Sequence, residues 1–420
     1  MSRELAADLH PETLTIGFGY DPATALGSAK PPLYLTSTYV YQSAQQAKDI
    51  HRAFFEGSTD IPGLDAAFIY SRLNHPNLAM VERRLAALDR AEDAAVFASG
   101  MAAISGLMLC FLSPGDTLLF NRPTYSGTDW MLHDHLPRLG IQAFGFGDAL
   151  DDAAIRAAAE QAMAAGPVGL IMLETPANPT GVIADIALAV RVANEIGERQ
   201  GRRPIVSVDN TFLGPFLQSP LDLGAELCVT SLTKYCAGHS DLLAGGVSGA
   251  KALIDQLKQQ RTFFGSMLNA HDCWLLLRSF ETLHLRTERA CQNALVLATY
   301  LRDHPKVASV TYLGFLQSDG PAKGVFERQC RGAGSTLSFE IKGGEAECFR
   351  FLDTLKVLRM AVSLGGAETL ICHSATTTHF SVPVERRRQA GIGDGTMRLS
   401  VGLEHVDDLI GDLAQALEAA

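Results

Sequence analysis

From about residue 94 to residue 232, short continuous apolar runs alternate with stretches whose apolar residues recur at helical spacing. Ala94 to Ala98, Thr117 to Phe120, Ile141 to Phe146, Val168 to Leu173, Ile205 to Val208 and Glu226 to Thr230 have the length and apolar content of buried strands. Met101 to Leu112, Asp151 to Ala165 and Ile186 to Ile196 read as the helices between them. The alternation predicts an α/β domain on a mainly parallel sheet with helices on both faces. Ligands of such sheets bind beyond the carboxyl ends of the strands. Gly100, Glu174, Asp209 and Ser231 to Lys234 all stand at predicted strand ends.

The pattern changes on either side of this block. Residues 1–65 carry no domain-like periodicity: Pro31 to Tyr41 is extended in character and Ser58 to Gly63 is loop-like, so an N-terminal arm is expected. Tyr70 to Pro76 is turn-like and leads into helical spacing from Leu78 to Leu88. Residues 66–265 make up the expected α/β domain, with a turn-rich region around Gly238, Gly245 and Gly246. Beyond it, a long amphipathic stretch from His271 to Arg302 leads to strand-like Val307 to Tyr312 and Ser335 to Ile341. A helix from Ala346 to Leu355, a strand from Met397 to Val401 and a last helix from His405 to Leu417 follow. Residues 266–420 are therefore expected to form a smaller C-terminal α+β domain.

A length of 420 residues accommodates two such units, and 47% apolar with 19% charged residues is an ordinary soluble composition. The net charge of −11, without any Lys/Arg cluster, argues against a nucleic-acid footprint and for a small-molecule partner. Eight scattered cysteines with no C-x-x-C pair predict reduced core thiols and a cytoplasmic location. No signal-peptide apolar region opens the chain, and no apolar run has membrane-spanning length. His133-x-His135 has no Cys, His or carboxylate cluster beside it, so a solvated helix face is expected there and no metal site.

Chemistry concentrates at Ser231-Leu-Thr-Lys234. A lysine at a strand end suits covalent attachment of pyridoxal phosphate, because its amine shifts pKa on desolvation and attacks carbonyls. That cofactor also needs a carboxylate at its ring nitrogen, for which Asp209 is the candidate. The helix opening at Gly100 offers free amides to a phosphate, and Arg72 and Arg398 are candidate anion clamps. Taken singly, these residues also read as a surface lysine, a turn aspartate and solvated arginines.

Taken in order, several stretches resemble the Cys/Met-metabolism family of pyridoxal-phosphate enzymes. They are Tyr70-Ser-Arg72, Ala98-Ser-Gly-Met-Ala-Ala-Ile104, Glu174-Thr-Pro-Ala-Asn-Pro179, Val208-Asp-Asn-Thr211, Ser231-Leu-Thr-Lys-Tyr235, Ala361-Val-Ser-Leu-Gly365 and Arg398-Leu-Ser-Val-Gly-Leu-Glu404. That family holds cystathionine γ-synthase, the cystathionine lyases, methionine γ-lyase and O-acetylhomoserine sulfhydrylase. The resemblance implies an aminotransferase-like fold of type I and a homotetramer, a dimer of dimers with active sites shared between subunits. It implies that Lys234 carries pyridoxal 5'-phosphate and that Asp209 pairs with its ring nitrogen. Gly100 and Met101 would give amides, and Ser231 and Thr233 hydroxyls, to the phosphate. Tyr125 would stack on the ring, Asn178 would sit beside the phenolic oxygen, and Tyr70 and Arg72 would reach the phosphate of a neighbouring subunit. Ser363 and Arg398 would hold the substrate α-carboxylate, and Lys234 and Tyr125 would move protons.

The implied activity is a γ-elimination on a γ-substituted amino acid such as methionine or homocysteine, giving a 2-oxo acid, ammonia and the leaving group. Val362 supports this, since members acting on cystathionine tend to carry glutamate there and methionine γ-lyases an apolar residue. Departures include Gly127 where methionine γ-lyases typically have cysteine, Ser126 for glycine, His75 for asparagine and His373-Ser374 for His-Pro. All are expected near a substrate channel, as is a longer loop before Tyr70. The alternatives are elimination from a non-sulfur substrate such as canavanine, γ-replacement on an activated homoserine ester, and a non-catalytic member of the family.

Overall fold

Among the described residues, seven strands make the larger sheet: β1 (Asp93–Phe97), β2 (Thr117–Asn121), β3 (Gln142–Phe146), β4 (Val168–Glu174), β5 (Ile205–Asp209), β6 (Leu227–Thr230) and β7 (Gly245–Gly249). Their order is β1-β7-β6-β5-β4-β2-β3. From β6 to β3 every pair is parallel, while β7 runs antiparallel to both its neighbours, β1 and β6. The computed structural model describes residues 9–56, 68–316 and 320–420. The loop expected at Ser58 to Gly63 and the long approach to Tyr70 lie outside the described residues.

β2, β4, β6 and β7 are buried along their whole length, which is why their sequences run apolar without polar alternation. Successive residues face opposite sides. Leu119, Ile171 and Val206 pack under helices Asp152–Ala165 and Ile186–Gln200, whereas Leu118, Leu170 and Val229 pack under Gly100–Phe111 and Lys251–Phe264. Helix Pro76–Leu88 joins Ala270–Phe280 and the short helix Pro11–Gly17 in a further core of Leu14, Leu85, Leu276 and Phe280.

The second sheet holds β8 (Val307–Thr311), β9 (Thr336–Ile341), β10 (Arg359–Met360), β11 (Leu370–His373) and β12 (Thr396–Ser400), in the order β10-β11-β12-β9-β8. Helices Leu283–Asp303, Glu345–Asp353 and Val406–Ala419 cover it, with Leu297, Phe351 and Leu413 meeting Phe339 and Leu399. Mixed α/β layering and a smaller second sheet unit agree with the sequence expectation. Three details differ. Gly245 and Gly246 belong to a strand rather than a turn, because glycine lets β7 run close to Ser99 and Glu226 of the flanking segments. The stretch from His271 to Arg302 is divided at Glu281 and Thr282 into two helices. Within the expected arm, Ala44–Glu56 is helical. Among the described residues, no helix is long and apolar enough to cross a membrane.

Candidate active site

The carboxyl ends of β4, β5 and β6 open on a cavity of about 540 Å³ between the two sheets. Lys234, Asp209, Gly100, Met101, Tyr125, Asn178, Ser231, Thr233, Ser363, Arg398 and Val362 all line it. Tyr70 and Arg72 do not. Tyr70 is 41% exposed, and Arg72 Nη1 donates to Thr262 O at 2.7 Å on the outer surface.

At one end, Ser99 caps the helix Gly100–Phe111 by accepting from Ala102 N at 3.1 Å. The first amides, Gly100 and Met101, have no helical acceptor and stand at the cavity wall. A Cβ on Gly100 would fall 2.8 Å from Ser231 Oγ, so glycine is what lets the hydroxyl and the helix end share one concavity. Thr233 Oγ1 is engaged by Ala244, donating to its carbonyl at 3.1 Å and accepting from its amide at 2.9 Å. Amides at a helix N-terminus with an adjacent hydroxyl suit a phosphate.

Asp209 ends β5 beside Glu174, its register partner on β4. Its Oδ1 accepts from Thr211 N at 3.0 Å and Thr211 Oγ1 at 2.6 Å. Burial raises the Asp209 pKa despite these two donors. Glu174 is pushed up to about 8, first by burial and then by the Asp209 charge. Two carboxyls in one buried place are stabilised as anions by a cation between them and the cavity, as a protonated pyridine ring would provide.

Lys234 follows β6 in a tight turn, with its amide donating to Ser231 O at 3.1 Å. Burial, aided by Arg398, lowers its amine to about 8. Lys234 Nζ donates to Ser363 Oγ at 2.8 Å. Arg398, 2% exposed on β12, donates from Nη2 to Ser363 O at 2.5 Å and from Nη1 to Asn178 Oδ1 at 3.1 Å. Arg398 Nε is buried without a partner, a charge-bearing donor left for an anion. Helix-end amides with an adjacent hydroxyl, a buried carboxyl and a neutralisable amine lining one cavity fit pyridoxal phosphate, and the unpartnered Nε of Arg398 fits a carboxylate.

Among the departures, Ser126 lines the cavity but His75 and His373 do not. His75 is 2% exposed and caps helix Pro76–Leu88: Nδ1 accepts from Leu78 N at 3.2 Å and Nε2 lies 3.0 Å from Leu268 O. His373 bonds Thr376 and Asp394 behind the wall. A Cβ on Gly127 would stand 2.7 Å from Tyr125 Cε1, so the ring occupies that side-chain space. His133 faces Asp129 at 3.4 Å and His135 stacks on Trp130. Glu174, Thr211, Leu243 and Thr378 also line the cavity and were not assigned from sequence. Glu174 carried a signal in its place at a strand end, and Thr211 in the stretch from Val208 to Thr211.

Residues 12–418 match the family described as Cys/Met metabolism PLP-dependent enzyme. The chain is 39% identical over 410 residues to the L-methionine gamma-lyase of Pseudomonas putida, covering 97% of each. It is 39% identical over 376 residues to the cystathionine beta-lyase of Bacillus subtilis, covering 89% of this chain and 90% of that one. A solved cystathionine gamma synthase of Xanthomonas oryzae pv. oryzae superposes with a TM-score of 0.86 at 32% identity, covering 98% of both chains. A match from residue 12 to residue 418, with relatives that cover nearly the whole chain, places this chain in the Cys/Met metabolism family of enzymes that work with pyridoxal 5'-phosphate.

Proposed function

We propose that this protein is a γ-lyase for a small γ-substituted α-amino acid, with methionine or homocysteine as the substrates of choice. Elimination or replacement at such a substrate is common to its relatives; the finer choice rests on the cavity. What supports it is the apolar part of the lining of the cavity that also holds Arg398. Val362, 56% exposed, and Leu243, 63% exposed, line the cavity with apolar side chains. An uncharged thiol or thioether suits that wall, whereas a distal ammonium would meet no carboxylate at position 362.

Pyridoxal phosphate, when bound, supplies the electron sink that takes up the pair left as protons leave the substrate carbons. Arg398 holds the α-carboxylate, with Nε completing a bidentate pair beside Nη2. Ser363, already bonded to Lys234 Nζ, keeps the amine near the same end of the cavity. The neutral amine removes the Cα proton, and Tyr125, at the cavity wall, gives a proton to the departing sulfur. For methionine, the Cγ–S bond breaks and water enters at Cα, so that methanethiol, 2-oxobutanoate and ammonium account for all atoms. Tyr70 and Arg72, exposed away from this cavity, are available to complete that of a partner in a dimer of dimers.

The test is 2-oxo acid release by purified holoenzyme from methionine, homocysteine, cystathionine, canavanine and O-acetylhomoserine, with and without added thiol. Oxo acid from methionine or homocysteine without thiol is the expected result. Turnover confined to the ester with thiol would replace the lyase by a transferase, and preference for canavanine would replace the sulfur leaving group.

A further inference from the structure

We propose that Glu174 is the positioning residue of the cofactor slot, one buried carboxylate fixing the backbone of Tyr125 and of Asn178 in a single register. Both oxygens are used. Oε2 accepts from Tyr125 N at 2.6 Å and Thr124 Oγ1 at 2.8 Å, and Oε1 accepts from Asn178 N at 2.7 Å. Tyr125 and Asn178 come from segments more than fifty residues apart in sequence, after β2 and after β4. Nothing in either turn alone sets their separation.

The carboxylate is itself held. Asn121, at the end of β2, donates from Nδ2 to Glu174 O at 3.0 Å and accepts from Glu174 N at 2.8 Å. Pairing of β4 with β5 fixes its other side against Asp209. Glu174 is 6% exposed, so its bonds are not traded against water. All three groups bonded to the side chain donate, two backbone amides and the Thr124 hydroxyl. Glutamine has the same shape but must turn its NH2 toward at least one donor, so Tyr125 or Asn178 loses its anchor. The inference rests on the assignment of Tyr125 and Asn178 to the two sides of the cofactor, and not on which amino acid is turned over.

The experiment compares Glu174→Gln and Thr124→Val with the wild type, all without substrate. Apoenzyme is titrated with pyridoxal phosphate by fluorescence quenching, and visible circular dichroism of the reconstituted protein reports how the bound ring is oriented. Glu174→Gln is expected to weaken cofactor binding at least about tenfold and to diminish the visible band, with a smaller loss in Thr124→Val, which removes one anchor and keeps the carboxylate. Melting of the apoenzyme is followed in parallel. A Glu174→Gln protein with wild-type affinity, to within about twofold, and an unchanged band overturns the proposal. If Glu174→Gln does not fold, Thr124→Val decides alone: a wild-type affinity and band there also overturns it. Because no substrate is present, failure of the γ-lyase assignment leaves these readouts unaffected.

Discussion

Lys234 Nζ and Ser363 Oγ stand 2.8 Å apart, so the amine beyond the large sheet is bonded to a hydroxyl from the segment that joins β10 and β11 of the small one. Ser363 also gives its carbonyl to Arg398 Nη2 at 2.5 Å. It thus touches the Lys234 amine and the Arg398 guanidinium together, and it does so at φ 84°, in the left-handed region that serine seldom adopts. The strained residue sits where Lys234 and Arg398 converge.

Replacing Ser363 by glycine removes both the hydroxyl and the strain, and replacing it by alanine removes only the hydroxyl. Ser363→Gly is expected to melt higher than Ser363→Ala, a net gain of about 1 kcal/mol once glycine's extra chain freedom is subtracted. Both should bind amino acid about tenfold more weakly. Calorimetry and a KM comparison check the two halves.

In the apoenzyme, Lys234 should behave as an amine of pKa about 8, lowered by burial and by Arg398. Its acylation by acetic anhydride, read by peptide mass spectrometry, is expected to rise through pH 8 and level off, whereas exposed lysines continue to gain up to about pH 10. Arg398→Ala should move the midpoint upward, since a repelling cation is removed. A midpoint at the ordinary lysine value would contradict this.

Gly127→Ala would put a Cβ 2.7 Å from Tyr125 Cε1 and 3.0 Å from Met101 Sδ. Tyr125 is 40% exposed and its ring can swing away, so the cost is expected in catalysis rather than in folding. A fall in kcat of roughly tenfold with a melting temperature within about 2 °C of wild type is the expected pattern.

Asp89 is buried at the C-terminal end of helix Pro76–Leu88, where the helix dipole disfavours a negative charge, and its Oδ2 accepts from Ser248 Oγ at 2.5 Å. Burial raises its pKa to about 7. The folded chain keeps the proton up to pH 7 while the unfolded chain loses it near pH 4, so this group costs stability progressively between those values. Asp89→Asn removes that dependence. Its melting temperature should gain on the wild type by about 2 °C or more as pH rises from 5 to 8, and parallel curves would refute the assignment.

Much of the large sheet was legible because parallel strands covered on both faces must be apolar throughout, and β4 and β5 state this plainly in Leu-Ile-Met-Leu and Ile-Val-Ser-Val. β7 was not, since Gly245-Gly-Val-Ser-Gly249 is chosen for closeness to its neighbours and carries no strand signature of its own. Lys234 and Asp209 could be placed at strand ends because apolar runs stop just before them. Glu174 stopped its run in the same way, yet its part depends on Thr124 and Asn121, side chains brought alongside by β2. Periodicity within a segment cannot express a partner fifty residues upstream. His75 misled for a related reason: its neighbours in sequence are near Tyr70, but its ring turns inward to cap a helix.

Arg398 belongs to β12 of the small sheet and Lys234 to the turn after β6 of the large one, so under the proposed function a substrate would be gripped at its carboxylate by one sheet and at its reactive carbon by the other. Such a pair of anchors is a ruler. An α-amino acid spans it with one carbon between carboxylate and amine; a β-amino acid, one carbon longer, can satisfy either end but not both.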